Sequence, residues 1–316
     1  MIVVAGEALI DLVPDRARTG GGLPALLPRR GGGPYNTAVA LGRLGSPTAF
    51  CSRVSTDAFG EALLAGLRAD GVDTTLVQRG PEPTTLAVAD IGSDGSAGYG
   101  FYAEGTADRR FALPGSLPES VTAVSVGTCS LVLEPGASAY EALLRREAAR
   151  GLFTALDPNI RPGLIADADA YRARFRSWLP SVSLLKLSVE DAVWLAGGTA
   201  DRDLDAVPTR AREWLAEGPA AVVLTHGADG LTVLTRAGGS VTVPGERVAV
   251  ADTIGAGDTV NAALLHRLAA HGALSPTAAA TLDETAWQDI LRFAARAAAI
   301  TCSRPGAQPP YASELT

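Results

Sequence analysis

The sequence contains a single lysine, Lys186, although lysine and arginine together number 27. Lys186 lies in an apolar run, residues 183–188, and no glycine-rich loop precedes it. The phosphate-binding loop GxxxxGK[ST] is therefore impossible in this chain. The signatures of a protein kinase are absent as well. Any phosphate group would have to be bound by main-chain amides and arginine side chains.

Cysteine is also scarce, since only Cys51, Cys129 and Cys302 occur and no CxxC pair is present. This spacing predicts buried thiols in a reducing compartment and excludes a disulfide framework or a zinc site. The sequence shows no charged leader ahead of an apolar core and no long uncharged apolar run. We therefore expect a soluble, cytoplasmic protein.

Neither histidine nor basic surface charge suggests a partner. The three histidines show no HExxH or similar ligand spacing, which argues against a histidine metal site. The net charge is -7, and no basic stripe is present. Nucleic acid and anionic membranes are therefore excluded as expected partners.

Apolar strand-like runs alternate with helix-like patterns along most of the chain, which predicts an α/β fold with helices on both faces of a mainly parallel sheet. Two β-rich runs, residues 84–91 and 99–101, flank a Gly/Asp turn at 92–96 and predict a hairpin. A dinucleotide-binding fold is excluded, because the first strand leads into Gly6-Glu7-Ala8 and not into GxGxxG.

The most informative stretch runs from Asp252 to Asp258 and reads D-T-I-G-A-G-D. It follows a β-like run at residues 241–250 and precedes a helix-like run at 260–270, which predicts a strand-to-helix turn. A helix start offers free N–H groups and the positive end of the macrodipole, so it binds anions. Asp258, beside that anion site, is suited to accept the proton of an attacking hydroxyl. The alternative is an ordinary helix cap.

This string resembles the signature of the ribokinase or PfkB family of sugar kinases. The resemblance implies that the amides of Gly255, Ala256 and Gly257 form an anion hole and that Asp258 is the base. It implies a ribokinase-like three-layer αβα sandwich with a mainly parallel central sheet and a small β lid. We expect one kinase domain over residues 1–316, with the lid formed by about residues 12–33 and 84–112.

Two further stretches are similar to parts of the family that bind the sugar. The triple glycine before Asn36 is similar to the first signature, which implies sugar contacts for Gly32, Gly33 and Asn36; a flexible link is the alternative. Asp11, near the end of the first strand-like run, matches an aspartate that binds sugar hydroxyls, and a turn cap is its alternative.

Residues 157–161 read D-P-N-I-R at the end of a predicted strand and are similar to the D-x-N-x-R of family members that act on fructose or ketodeoxygluconate. This implies substrate contacts for Asn159 and Arg161, whose guanidinium could clamp a phosphate or carboxylate; a capped surface turn is the alternative. A similar match implies a sugar contact for Asp108.

The nucleotide side is implied by three weaker matches. These are Ser188 at a helix start, the turn with Thr225, Gly227 and Gly230, and the closing stretch around Cys302, with Gly257 adding an amide to the phosphates.

The implied metals are magnesium and a monovalent cation. Glu190 or Asp191 would order magnesium-bound water, although a plain capping box explains these acids equally well. Asp252 is the expected site of a monovalent cation such as potassium.

The expected reaction is ATP-dependent phosphorylation of a primary hydroxyl of a small sugar, with Mg²⁺ as cofactor. Fructose is the first choice as acceptor, and 2-dehydro-3-deoxygluconate or ribose is the alternative. A homodimer through the β lid is expected as well. From another class, a sugar or nucleotide sensor without turnover is possible on the same fold, and the intact Asp258 argues against it.

Overall fold

The computed structural model describes residues 1–15, 25–91, 97–198 and 203–315. In these ranges the strands are β1 Ile2–Ala5, β2 Leu9–Pro14, β3 Leu26–Gly31, β4 Thr48–Cys51, β5 Arg53–Ser55, β6 Gln78–Gly80, β7 Leu86–Ile91, β8 Ala97–Tyr102, β9 Ala123–Gly127, β10 Phe153–Asp157, β11 Leu184–Ser188, β12 Ala221–Thr225, β13 Leu231–Thr235 and β14 Ser240–Val243. The α-helices are α1 Gly33–Arg43, α2 Ala58–Ala69, α3 Gly136–Ala149, α4 Ala168–Trp178, α5 Val189–Leu195, α6 Val207–Glu217, α7 Ala256–Ala270, α8 Pro276–Ala280 and α9 Glu284–Cys302.

The central sheet has the strand order β14-β13-β12-β11-β10-β9-β1-β4. Its neighbours from β4 to β12 pair in parallel, and β13 and β14 add an antiparallel edge. Parallel strands need crossover helices, and these cover both faces of the sheet. The expected α/β architecture with a mainly parallel central sheet is confirmed.

Two hydrophobic clusters, one on each face of the sheet, account for the three layers. Val4 of β1 packs in the cluster that α1, α2, α7 and α9 cover, whereas its neighbour Val3 packs in the cluster under α3, α4, α5 and α6. This alternation is the two-residue period of a strand buried on both sides. No helix in the described ranges is long and apolar enough to cross a membrane.

A second sheet has the strand order β3-β2-β7-β8. It contains the hairpin predicted for residues 84–101, with β7 and β8 antiparallel. The predicted turn at residues 92–96 lies outside the described residues, as do residues 16–24 of the predicted lid segment. We call this group of four strands the lid sheet.

Asp11 was predicted near the end of the first strand-like run, but this run is divided into β1 and β2, which belong to different sheets. The chain leaves the central sheet at Gly6, whose φ of 152° favours glycine. A Cβ on Gly6 would lie 2.3 Å from a ring atom of Pro34. The chain therefore turns there, and Asp11 lies within β2 of the lid sheet instead of at the end of a central strand.

The β-like run before the D-T-I-G-A-G-D turn is also shorter than predicted. The strand ends at Val243, and residues 244–250 are irregular, with Val248 and Val250 exposed. Pro244 cannot donate to a sheet ladder and stops β14. Residues 49–54 are divided between two strands, β4 in the central sheet and β5 in a separate two-stranded sheet.

Candidate active site

The turn before α7 has the geometry of an anion site. Gly255 precedes the helix in the left-handed region, with φ 77°. The amide of Ala256 donates to the Thr253 carbonyl at 3.3 Å, whereas the amides of Gly257 and Asp258 have no acceptor among the described residues. Two N–H groups at the positive end of the helix dipole are thus available to a ligand. Of the expected anion-hole amides, Ala256 is the one already engaged.

Asp258 lies in the first turn of α7 and is 7% exposed. Its Oδ2 accepts a hydrogen bond from Asn36 Nδ2 at 2.8 Å. Burial raises the pKa of Asp258 to about 7, and the Asn36 hydrogen bond opposes this rise. A pKa in this range suits a general base that works at neutral pH.

The triple glycine brings the start of α1 against this carboxylate. A Cβ on Gly33 would lie 3.2 Å from Asp258 Oδ1 and 2.5 Å from the Thr128 methyl group, so only glycine fits there. Gly32 has φ 105° and precedes the helix. Asn36 was expected to contact the sugar, and its amide instead has a partner in the protein, Asp258. It orients the candidate base, while its contact with a sugar stays a prediction.

Asp11 and Arg161 approach the same region from the lid sheet and from the loop after β10. Burial raises the pKa of Asp11 to about 6, and the positive charge of Arg161 opposes this shift. The positive charge of Arg161 also lowers the pKa of Asp258. The Arg161 guanidinium is exposed and receives support from Asn159 Oδ1 at 2.7 Å. Asn159 therefore holds Arg161 in place at the mouth of the site.

Asp108 is not brought beside Asp258. It lines a small cavity with Glu7 and Cys129. Its Oδ1 accepts from the hydroxyls of Thr85 and Thr106 and from the Arg109 amide. Burial raises the pKa of Asp108 in spite of these bonds. These hydrogen bonds indicate that the Asp108 carboxylate stabilises its own loop, and the expected sugar contact stays a prediction.

The residues expected on the nucleotide side lie at the carboxyl edge of the central sheet. Ser188 pairs in register with Thr225 at the ends of β11 and β12. Gly227 and Gly230 follow with φ of 58° and 107°, so the backbone can turn tightly there. Ligands of open α/β sheets bind outside this edge.

The closing stretch is tied to the turn by main-chain bonds. The Cys302 carbonyl accepts from the amides of Ala251 and Asp252. The Asp252 carboxylate accepts from the amides of Ile254 at 3.1 Å and Gly306 at 2.9 Å. This carboxylate, expected to bind a monovalent cation, is therefore engaged inside the protein.

The two acids expected near magnesium differ in environment. Asp191 is buried and forms a capping box with Ser188, and its Oδ1 accepts from the Ile160 amide at 2.8 Å. Glu190 is exposed, and its carboxylate makes no hydrogen bond to the described part of the chain. Within the described ranges no group of three or more His, Cys, Asp or Glu could hold a metal ion. Of the two, Glu190 is the carboxylate left available.

Two buried polar groups near the site were not predicted from the sequence. Lys186 Nζ donates to Asp157 Oδ2 at 2.8 Å, and a Cβ on Gly257 would lie 3.0 Å from that ammonium. Lys186 therefore adds a buried positive charge beside the turn, while the binding of phosphate by amides and arginine stays a prediction. Glu7 accepts from Ser130 Oγ at 2.7 Å and from Thr128 Oγ1, and so fixes the loop after β9. A charged residue inside an apolar run was the signal in each case.

Free amides at a helix start beside a buried carboxylate form the arrangement used for phosphoryl transfer to a hydroxyl. The fold and this site thus define a class, the α/β phosphotransferases. The sequence model of the pfkB family carbohydrate kinases matches residues 1–314. The chain belongs to this family, whose members transfer a phosphoryl group to a sugar hydroxyl.

Two curated relatives are similar over most of the chain. A fructokinase of Rhizobium leguminosarum bv. trifolii is 42% identical over 289 residues, which cover 90% of this chain and 85% of that protein. A fructokinase of Klebsiella pneumoniae is 32% identical over 320 residues, with 99% and 97% covered.

Solved structures are similar over the same length. The fructokinase of Xylella fastidiosa with bound ATP has a TM-score of 0.87 at 28% identity, covering 99% of this chain and 96% of that one. The fructokinase of Vibrio cholerae O395 with fructose, ADP and calcium ion has a TM-score of 0.81 at 26% identity, covering 99% and 97%.

Proposed function

We propose that this carbohydrate kinase uses ATP to phosphorylate a primary hydroxyl of fructose. The observation that carries the proposal is the Asp258 carboxylate beside the unbonded amides of Gly257 and Asp258. The sugar oxygen attacks the γ-phosphorus, the bond from that phosphorus to the bridging oxygen of ADP breaks, and Asp258 accepts the hydroxyl proton. The amides stabilise the charge of the phosphoryl group in transfer.

Fructose as the acceptor is supported by the relatives, which are named fructokinases, and by the fructose bound to the Vibrio cholerae protein. In the proposed complex Asp11, Gly32 and Gly33 bind sugar hydroxyls, and Arg161 binds a substrate oxygen. The exposed Arg161 guanidinium also favours a second candidate, 2-dehydro-3-deoxygluconate, because that acid carries a carboxylate.

Magnesium is proposed as the cofactor with ATP. The exposed Glu190 carboxylate is suited to hold magnesium through bound water, because Mg²⁺ prefers oxygen ligands and keeps several of its waters. When bound, the ion neutralises charge on the phosphates. A potassium ion near the turn would bind main-chain carbonyls, since the Asp252 carboxylate is already engaged.

The lid sheet is proposed to cover the sugar and to form a homodimer. Leu26 and Leu27 are exposed on β3, an edge strand of this sheet, which supports a partner surface there. A cytoplasmic location is proposed as well, and the three free cysteines support it.

The acceptor is tested by ADP release with Mg²⁺-ATP and a panel of fructose, 2-dehydro-3-deoxygluconate, ribose and glucose. We expect the highest kcat/KM with fructose. Turnover of 2-dehydro-3-deoxygluconate alone would establish the second candidate. Binding of a sugar without ADP release from any member of the panel would identify a sensor. The Asp258→Asn variant is the control for ADP release that does not depend on the candidate base.

The two acids of α5 make a matched pair for the magnesium proposal. Glu190→Gln is expected to raise the Mg²⁺ concentration for half-maximal rate several-fold without loss of stability, because it is exposed. Asp191→Asn should instead lower the free energy of unfolding by about 1 kcal/mol through the capping box. Magnesium titrations and urea unfolding distinguish them, and the reverse pattern would assign the metal role to Asp191.

A further inference from the structure

The ion pair of Asp157 and Lys186 is buried in the centre of the molecule. The two residues are 3% and 4% exposed. Asp157 ends β10, and Lys186 lies in the neighbouring parallel strand β11. Burial disfavours the charge of Lys186, but the carboxylates of Asp157, Asp191 and Asp258 outweigh this and raise its pKa. Lys186 is therefore a cation. A buried ion pair gives little net stability, because desolvation costs as much as the attraction gains.

The position of this pair is what distinguishes it from a structural ion pair. A Cβ on Gly257 would lie 3.0 Å from Lys186 Nζ, so the ammonium lies directly against the first turn of α7. That turn carries both the unbonded amides and Asp258. Because Gly257 has no side chain, the Lys186 ammonium can lie against this turn. The same lack of a side chain leaves room for a phosphate to approach the amides.

Asp157 faces the same small cavity as Asp258. The cavity is also lined by Asn261, one turn further along α7, and by Ser125. Asp157 Oδ1 and Asn261 Oδ1 are both buried and have no hydrogen-bond partner among the described residues. Asp157 and Asp258 thus line one small cavity, whose wall includes these two unpaired oxygens as well as the apolar residues Val4, Pro34 and Val126.

We propose that Asp157 and Lys186 are positioning residues for phosphoryl transfer, with Lys186 holding the carboxylate of Asp258 ionised and Asp157 limiting that effect. The inference rests on the proposed role of Asp258 as base. Among the charged groups that act on Asp258, Asp157 has the largest effect and opposes the ionised form, whereas Lys186 and Arg161 favour it. At short range in a buried site such charges change an ionisation equilibrium by tenfold or more.

The opposite signs of the two charges allow a sharp test with Lys186→Met, Asp157→Asn and the double variant. The readout is the midpoint of the acidic limb in the pH profile of kcat/KM. We expect Lys186→Met to move it upward by at least about one pH unit, and Asp157→Asn to move it downward. The double variant should return close to wild type, because both charges are removed together.

A purely structural role predicts a different pattern. Lys186→Met would then lower kcat equally at every pH, and the double variant would be the most impaired of the three. Either result would overturn the inference, as would an unchanged acidic limb in Lys186→Met. Fructose KM in all variants reports whether the sugar site itself is disturbed.

A second measurement does not depend on turnover. Asp157→Asn and the double variant differ only in the lysine, so their free energies of unfolding against pH report the action of Lys186 on Asp258. We expect the loss of stability that accompanies ionisation of Asp258 to extend to higher pH in the double variant. Coinciding curves would refute the inference even if no sugar is phosphorylated, whereas an inactive wild type alone would refute the proposed function.

Discussion

Asp258→Asn is expected to lower kcat by about 10²–10⁴-fold, the usual contribution of a general base. The amide cannot accept the hydroxyl proton, but its oxygen can still accept the hydrogen bond from Asn36 Nδ2. The anion-binding amides of the turn also remain in place. The KM values for ATP and sugar should therefore change by no more than a few-fold. Steady-state ADP release across both substrates measures this.

The same variant should be more stable than the wild type above neutral pH. The pKa of Asp258 rises from 3.8 to about 7 on folding because the carboxyl is buried. The folded protein thus binds the proton more tightly than the unfolded chain, so the free energy of unfolding falls as pH rises through this window. Because asparagine does not ionise, the variant avoids this loss of unfolding free energy, which is about 1–4 kcal/mol above pH 7.

Urea unfolding of both proteins at several pH values checks this sign. At the acid end of the window Asp258 is protonated in the folded wild type, so the two proteins should converge there. A variant with nearly full turnover would remove Asp258 from the role of base. A variant no more stable than the wild type at pH 8 would show that the carboxyl is solvated.

The turn and the helices around it were predictable because their signals are local. Asp57 caps α2 by accepting from the Gly60 amide, and Gly71 follows the helix with φ 75°; aspartate and glycine are typical of these two positions. The D-T-I-G-A-G-D turn likewise carries its own glycines and its own carboxylate. Motifs of this kind fix a local geometry without information from distant parts of the chain.

The misplaced and missed residues depend on contacts between distant segments. No local pattern shows that the chain turns at Gly6, because the residues that leave no room for a side chain there, Pro34 and Ser130, are distant in the sequence. The pairing of Lys186 with Asp157 joins residues 29 positions apart and requires the register of β10 and β11. A single lysine in an apolar strand indicates a buried partner, but the sequence alone does not identify it.

Gly255→Ala is expected to lower both activity and stability strongly. Its φ of 77° costs an alanine about 1–2 kcal/mol. The new Cβ would also lie 2.6 Å from Ala307 Cβ and 3.0 Å from its Cα. The closing stretch cannot withdraw freely, because Asp252 holds the Gly306 amide at 2.9 Å. We expect the first turn of α7 to shift and kcat to fall by about 10²-fold, the cost of misplacing reacting groups by about 1 Å.

The other end of α7 supplies the matched control. Gly272 has φ 64° and a Cβ there would meet nothing within 4 Å, so Gly272→Ala pays the backbone cost alone. It should lose about 1 kcal/mol of unfolding free energy and keep wild-type kcat. The difference between the two variants, measured by urea unfolding and ADP release, isolates the contact with Ala307. If both variants lose equal stability and keep wild-type kcat, the closing stretch moves away from the new Cβ and does not hold the first turn of α7 in place.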